Sequence, residues 1–480
     1  MGTHTTFPQL LLQHASQRPQ AAAMREKEYG IWQSLSWGDL AVMVEQLAAG
    51  LHQAGLQRGD HMVVVGANRP RLYATMLAVQ SLGAVPIPLY QDAAAPECVF
   101  PINNAEVRFA FAEDQEQVDK LLEVREQCPQ LQHIYFDDPR GLRNYDQPGL
   151  AGMDELQAAG KAFAAIHPAF FRDEVAKITH TDVAAMFFTS GTTGNPKGVV
   201  HTHDSIRALL NMSQSRLQTD SSTHWLLCLP VSHVAGFSIV ARSVLMGNPI
   251  SILSKFDEAE VMNTARAGAT HVSLVPTTMQ RIDPSVFNTI LLGGAAAPPN
   301  LPHNVVTTYG MTETFGGIAY NGKPLDGVAV RTLNENLELK SPSLFRTYRG
   351  HIADRPTGDW YDTGDKGEFA NNLIRVFGRR DDMIITGGEN VWPNVVEKAV
   401  ATFPGVEQVV VGGIDDEQWG QRVVAWIVSS RDVAPTLESI RQHVKTQLPS
   451  FCAPTELRVV QEIPMTSLGK VDTQKLRQLK

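Results

Sequence analysis

The stretch Thr189-Ser-Gly-Thr-Thr-Gly-Asn-Pro-Lys-Gly198 follows directly on an apolar run, Val183–Phe188. Its residue types suit one kind of chemistry. Gly191 and Gly194 let backbone N–H groups crowd around a polyanion. The hydroxyls of Thr189, Ser190, Thr192 and Thr193 add donors, and Lys197 adds charge. The chemistry is phosphate binding. No GxxxxGK[ST] pattern is present, so the loop is not a Walker A loop. A flexible polar turn is the bland alternative, but it explains neither the preceding strand nor the Pro-Lys-Gly end.

The elements that must hold this loop are legible around it. From about Thr181 to Thr308, short apolar runs at Val183–Phe188, Trp225–Leu229, Val272–Val275 and Thr289–Leu292 alternate with amphipathic stretches such as Ser205–Met212 and Glu258–Ala267. This alternation predicts βα units around a largely parallel sheet. An earlier unit reads as strand Met62–Val65, helix Arg71–Leu82 and strand Ala84–Pro88. The region from Glu113 to Phe171 is more polar and reads as surface helices. Beyond Arg380, the segments Met383–Ile385, Val395–Thr402, Val406–Val411, Val423–Val428, Leu437–Leu448 and Leu457–Val460 predict a compact α+β domain. The expected fold is α/β. A large domain of βα layers around mixed sheets spans 1–380, and a small α+β domain spans 381–480.

A chain of 480 residues is long enough for two or three domains and a large core. Its net charge of −9 makes nucleic acid or an anionic membrane surface a poor partner. Cys98, Cys128, Cys228 and Cys452 stand far apart, without a CxxC pair or a Cys/His cluster. Neither a zinc site nor a disulfide framework is implied. No apolar run reaches the roughly 18 residues of a membrane span. The opening residues lack a basic start with an apolar core, so the expected location is the cytoplasm.

The loop Thr189–Gly198 resembles the signature loop of the adenylate-forming superfamily of acyl-CoA synthetases, luciferases and peptide-synthetase adenylation domains. Further stretches resemble that superfamily's motifs in its order. They are Tyr309-Gly-Met-Thr-Glu-Thr314, Tyr361-Asp-Thr-Gly-Asp365, the hinge motif Gly378-Arg-Arg-Asp-Asp-Met-Ile-Ile-Thr-Gly-Gly-Glu-Asn390 and the lysine motif Pro464-Met-Thr-Ser-Leu-Gly-Lys470. The resemblance covers nearly the whole chain. It implies ATP, Mg2+ and coenzyme A, and activation of a carboxylic acid as an acyl-AMP. Thr189 to Gly194 and Lys197 would then cradle phosphate, with Thr312 hydrogen-bonding a phosphate oxygen. Glu313 would hold Mg2+, a hard cation that prefers oxygen. Tyr309 and the backbone of Gly293–Ala296 would border adenine, with Gly294 and Ala295 on the nucleotide and Gly293 and Gly316 on the acid. Asp365 and Arg379 would hold the ribose. Lys470 would stabilise charge developing at the α-phosphate. Asp381 matches the hinge about which the small domain rotates. That rotation would withdraw Lys470 and present Thr386–Glu389, with Gly388, to the thiol.

For the acid, the stretch Trp225–Met246, with Ser273-Leu-Val-Pro-Thr277, Leu291-Leu-Gly-Gly-Ala295 and Tyr320–Val328, is similar to o-succinylbenzoate–CoA ligases of menaquinone synthesis. His233 matches the gate between the acyl and pantetheine tunnels. An arginine nine residues after that histidine, here Arg242, recurs in those ligases. The stretch from Gly66 to Asp154 instead resembles bacterial long-chain fatty acyl-CoA synthetases. The expectation is therefore an o-succinylbenzoate–CoA ligase. Medium- or long-chain fatty acyl-CoA synthetase is the alternative, followed by an aryl acid ligase or a luciferase-like enzyme.

Overall fold

In the computed structural model, which describes residues 5–189, 196–350, 359–430, 434–465 and 471–479, packing separates the chain into two units. One comprises residues 1–328 with 341–359, the other 329–340 with 360–480.

The first unit contains a five-stranded parallel sheet in the order Val85–Leu89, His61–Val65, Phe109–Ala112, His133–Phe136, Leu150–Gly152. Val85–Leu89 and Phe109–Ala112 are buried along their whole length, as a parallel sheet covered on both faces requires. Helix Pro70–Ser81 begins on a proline, whose missing N–H costs nothing in a first turn. The segment read as surface helices does carry Gln115–Glu123, Met153–Ile166 and Phe170–Ala176. It also carries the last two strands of the sheet, which the sequence reading missed. They have four and three residues, too few to show a period.

A nine-stranded sheet follows the order Lys323–Pro324, Gly316–Tyr320, Val305–Met311, Thr289–Leu292, His271–Leu274, Trp225–Leu227, Ile250–Ile252, Ala22–Glu28, Ile31–Ser36. Its centre is parallel and both its edges are antiparallel. Val183–Thr189 was expected in this sheet and stands outside it. It pairs antiparallel with Lys197–Thr202, and Thr347–Tyr348 adds to the far side of Lys197–Thr202. The connection from Thr189 to Lys197 is too short for the crossover that parallel pairing needs. Thr202 ends its strand and at once caps helix His203–Leu217. Its Oγ1 accepts the Ser205 N–H while Ser205 Oγ accepts the Thr202 N–H, both at 3.1 Å.

The second unit contains an antiparallel sheet ordered Ala329–Leu333, Asn336–Lys340, Tyr361–Ala370, Leu373–Arg379. Its other sheet is ordered Glu389–Val391, Ile384–Thr386, Gly420–Ser429, Val406–Asp416, with Glu456–Val459 parallel to Gly420–Ser429. Helices Pro393–Ala401 and Leu437–Lys445 bury Val396, Val400, Ile440 and Val444 in one core with Ile384, Val411 and Ile427. The six segments read from the sequence beyond Arg380 correspond to these elements. Among the described residues no helix is long and apolar enough to cross a membrane.

Candidate active site

The strand Lys197–Thr202 organises the first group of expected site residues. Thr189 ends the partner strand, in register with Lys197. Ser190, Gly191, Thr192, Thr193 and Gly194 lie outside the described residues, as does Lys470. The Lys197 ammonium sits 5.4 Å from the Tyr348 ring centroid, and the Tyr348 hydroxyl donates to Glu313 Oε1 at 2.9 Å. Glu313 occupies a single 3-10 turn, Thr312–Thr314. Thr314 Oγ1 accepts the Met311 N–H at 3.0 Å and lies 2.6 Å from the Gly316 carbonyl, closing the turn on itself. The Phe345 N–H donates to the Glu313 carbonyl at 2.8 Å. His201, fully buried, places Nε2 2.7 Å from the Thr312 carbonyl and Nδ1 3.1 Å from Ser205 Oγ. Burial pushes its pKa down to about 4, so the ring is neutral near pH 7.

The Glu313 carboxylate makes no ion pair among the described residues, and no cluster of three metal-ligating side chains occurs among them. A lone carboxylate fits Mg2+, which keeps several waters and takes further oxygens from substrate phosphates.

Backbone closeness shapes the floor of this region. A Cβ on Gly293 would meet Thr308 Oγ1 at 2.4 Å, so only glycine leaves that hydroxyl free to donate to the Leu292 carbonyl. Gly294 and Ala295 follow in an exposed loop. Tyr309 lies on the neighbouring strand Val305–Met311. Gly316 has φ +130° and faces Leu209 of helix His203–Leu217.

Helix Val234–Met246 and its N-cap residue hold two residues expected on the acid side, Arg242 and His233. His233 is its N-cap residue, with its ring 6.0 Å from that of Tyr90. Arg242 is 5% exposed. Its Nη1 donates to Ser213 Oγ at 2.8 Å and its Nη2 to the Tyr320 hydroxyl at 3.4 Å, and the guanidinium lies 5.6 Å from the Trp225 ring centroid. Nε has no partner. Burial lowers the guanidinium's pKa, yet arginine remains charged in proteins. Among the described residues no carboxylate pairs with it, so this is a buried cation held only by neutral oxygens and a ring.

In the second unit, Asp365 stands inside strand Tyr361–Ala370 at 5% exposure, not in a turn. Arg379 Nε meets its Oδ1 at 3.1 Å, and Arg379 Nη1 donates to the Thr363 carbonyl at 2.9 Å. Asp381 lies in the exposed turn Arg380–Asp382. Gly388, with φ +84°, occupies the turn between Ile384–Thr386 and Glu389–Val391, where a side chain would meet nothing within 4 Å.

A family described as AMP-binding enzyme matches residues 11–370, and its C-terminal domain family matches 395–470. The chain belongs to the AMP-binding enzyme family. Among relatives of this AMP-binding enzyme, a probable 2-succinylbenzoate–CoA ligase of Mycobacterium tuberculosis is 37% identical over 319 residues, 61% of this chain and 83% of that protein. The 2-succinylbenzoate–CoA ligase of Geobacillus sp. (strain WCH70) is 27% identical across 99% of this chain and 98% of its own length. Among solved structures, the o-succinylbenzoate CoA synthetase of Bacillus subtilis in complex with its acyl-adenylate intermediate superposes with a TM-score of 0.80 at 22% identity. It covers 99% of this chain and 98% of that one. A Mycobacterium tuberculosis fatty acyl CoA synthetase gives 0.72 at 23% identity, with 98% of each chain covered. These likenesses establish the shared fold.

The sequence reading of the AMP-binding enzyme missed His201, Tyr348, Ser213 and Tyr320. His201 was detectable in part, since Lys197, Val199 and His201 alternate onto one face of a strand. Tyr348 sits in no motif, and only the sheet brings it beside Lys197.

Proposed function

We propose that this chain is an ATP-dependent, AMP-forming acid–CoA ligase whose acid is 2-succinylbenzoate. The observation that carries the substrate is Arg242, a buried guanidinium held by Ser213, Tyr320 and Trp225 with no carboxylate beside it among the described residues. An unpaired buried cation is costly. A substrate with two carboxylates supplies the missing partner: one is activated, and the other meets the arginine directly or through water. A fatty acid offers only methylenes there. The relatives named as 2-succinylbenzoate–CoA ligases support the same choice.

The reaction has two steps. A carboxylate oxygen attacks the α-phosphorus of ATP, a C–O–P bond forms, and the bond to the β-phosphate oxygen breaks to release pyrophosphate. The coenzyme A thiol then attacks the acyl carbon, loses its proton and displaces AMP. Most of the protein's task is positioning and charge stabilisation. Thr189 to Gly194, Lys197 and Thr312 would bind the phosphates. Mg2+ bound at Glu313 would neutralise phosphate charge. Gly294, Ala295 and Tyr309 would border adenine, and Gly293 and Gly316 the acid. Asp365, supported by Arg379, would hold the ribose. Lys470 would act in the first step. Rotation of residues 381–480 about Asp381 would then bring Gly388 to the thiol channel gated by His233. The four cysteines are buried and unpaired, which suits a cytoplasmic location.

The test is pyrophosphate release with 2-succinylbenzoate, medium and long fatty acids and aryl acids, each with and without coenzyme A. Turnover should be fastest with 2-succinylbenzoate and should yield its thioester. An enzyme that ignores it and turns over fatty acids overturns the proposal.

A further inference from the structure

We propose that His201 is a positioning residue for acyl-adenylate formation, fixing through the Thr312 carbonyl the turn that aims Glu313. The inference rests on the reading of Glu313 as the residue that holds Mg2+.

A carbonyl oxygen only accepts, so the 2.7 Å contact from Nε2 to Thr312 means that Nε2 carries the ring proton. Nδ1 of the neutral ring is then an acceptor, 3.1 Å from the Ser205 hydroxyl, whose single proton is shared between it and the Thr202 carbonyl at the same distance. Ser205 belongs to the capping box that starts helix His203–Leu217. The ring's orientation is therefore set by the junction of strand and helix. Phe187 and Phe315 flank it, with centroids at 6.3 and 5.4 Å. Both nitrogens are satisfied, so the histidine does more than fill space.

The turn needs an outside hold. Phe315 has φ +58°, a left-handed conformation that costs a side-chain-bearing residue about 1–2 kcal/mol. The Thr312 carbonyl accepts the Phe315 N–H at 2.9 Å as well as the histidine, which uses both of its lone pairs. The next carbonyl, of Glu313, is held by the Phe345 N–H, and the Glu313 side chain is aimed by Tyr348. Tyr348 in turn lies beneath Lys197 on the strand that carries His201. One strand thus holds the turn at two points, through its first residue and through its fifth. Mg2+ demands near-ideal octahedral geometry. A turn free to tilt would misplace the Glu313 carboxylate.

The experiment compares His201→Leu with His201→Gln in the full chain. Leucine keeps the burial and removes the donor. Glutamine keeps an amide N–H near the position of Nε2. His201→Leu should raise the Mg2+ concentration for half-maximal acyl-AMP formation about tenfold, the factor a lost buried hydrogen bond represents. Calorimetry should show MgATP binding weakened by a similar factor and metal-free ATP binding unchanged. Thioester formation from supplied acyl-AMP should also be unchanged, and His201→Gln should recover most of both losses. If leucine and glutamine behave alike, or if both half-reactions and both forms of ATP suffer together, His201 is a packing residue and the proposal fails. Should the leucine protein not fold, His201→Asn takes its place, because its amide is too short to reach Thr312. Glu313→Gln separates the two readings. A normal Mg2+ response in that variant removes the metal reading of Glu313. A shifted response there, beside a normal one in His201→Leu, removes only the proposal for His201.

Discussion

Glu313 and Arg242 are both charged side chains of the first unit, and their surroundings differ in kind. Glu313 is aimed by Tyr348, its own carbonyl is held by Phe345, and the carbonyl before it is held by His201. Arg242 has one good bond to Ser213, a long one to Tyr320 and an Nε with none. The first centre is finished without a ligand, and the second is left short of one. A group that serves an invariant partner such as ATP gains from being preassembled. A group that must distinguish acids gains from a deficit that only the right acid fills, because the wrong one leaves buried polar groups unmatched.

The largest effect should appear in the step that consumes ATP. Lys470→Ala should lower acyl-AMP formation by about a thousandfold, near the upper range for loss of one charge-stabilising donor. Thioester formation from supplied acyl-AMP should remain near normal. Rapid-quench measurement of the two half-reactions checks this, and equal loss in both would end the view that the lysine serves one step.

The next effect should run in opposite directions for activity and stability. Arg242→Met should cut kcat/KM for 2-succinylbenzoate by about ten- to several hundredfold, the loss expected for a charged hydrogen bond. The same substitution removes an uncompensated buried charge and should raise Tm by several degrees, since an apolar side chain of similar volume packs there without desolvation cost. Calorimetry with and without the acid is decisive. Lower stability without ligand would show that Ser213, Tyr320 and Trp225 already compensate the charge, and the contrast with Glu313 would vanish.

The smallest effect extends the contrast to histidines. His203 is fully buried, its Nδ1 accepts the Phe7 N–H at 3.4 Å, and its Nε2 has no partner. Burial pushes its pKa down to about 3. The unfolded chain titrates near 6.5, so between those values it binds more protons than the folded one. Stability contributed by the neutral ring is complete above pH 6.5 and is lost as pH falls toward 3. His203→Gln should flatten that acid limb by about one proton, or about 1.4 kcal/mol per pH unit. Urea titrations at pH 7, 6 and 5 would reveal an unchanged slope if the ring is not the titrating group.

How much of this was legible depended on the range of the interactions involved. Val85–Leu89 was readable as a short apolar run buried along its whole length, and Leu437–Lys445 because burial repeats along it with a helical period. His133–Phe136 and Leu150–Gly152 were not, because their burial comes from partners distant in sequence. The sheet of residues 329–340 and 361–379 also escaped, and its outer strand Ala329–Leu333 is largely exposed. Within the site, the glycine-rich loop stood out by residue type, whereas Glu313, Asp365 and Arg242 were singled out through the resemblance of the stretches that carry them. Tyr348 did not, since its relation to Glu313 exists only after Thr347–Tyr348 pairs with Val199 and Val200.

The capping box at Thr202 has a consequence for anyone wishing to alter the acid range. Strand Lys197–Thr202 and helix His203–Leu217 form an unbroken run in which Lys197 belongs to the proposed phosphate end and Ser213 to the proposed acid end. Adding or deleting one residue in the strand would turn its side chains to the opposite face. The same change in the helix would rotate all that follows by about 100°. The acid range of such a ligase is therefore open to redesign by exchanging side chains at fixed length, at Ser213, Tyr320 and Arg242. Splicing loops or segments of other lengths between residues 197 and 213 would disturb the phosphate grip along with the acid pocket.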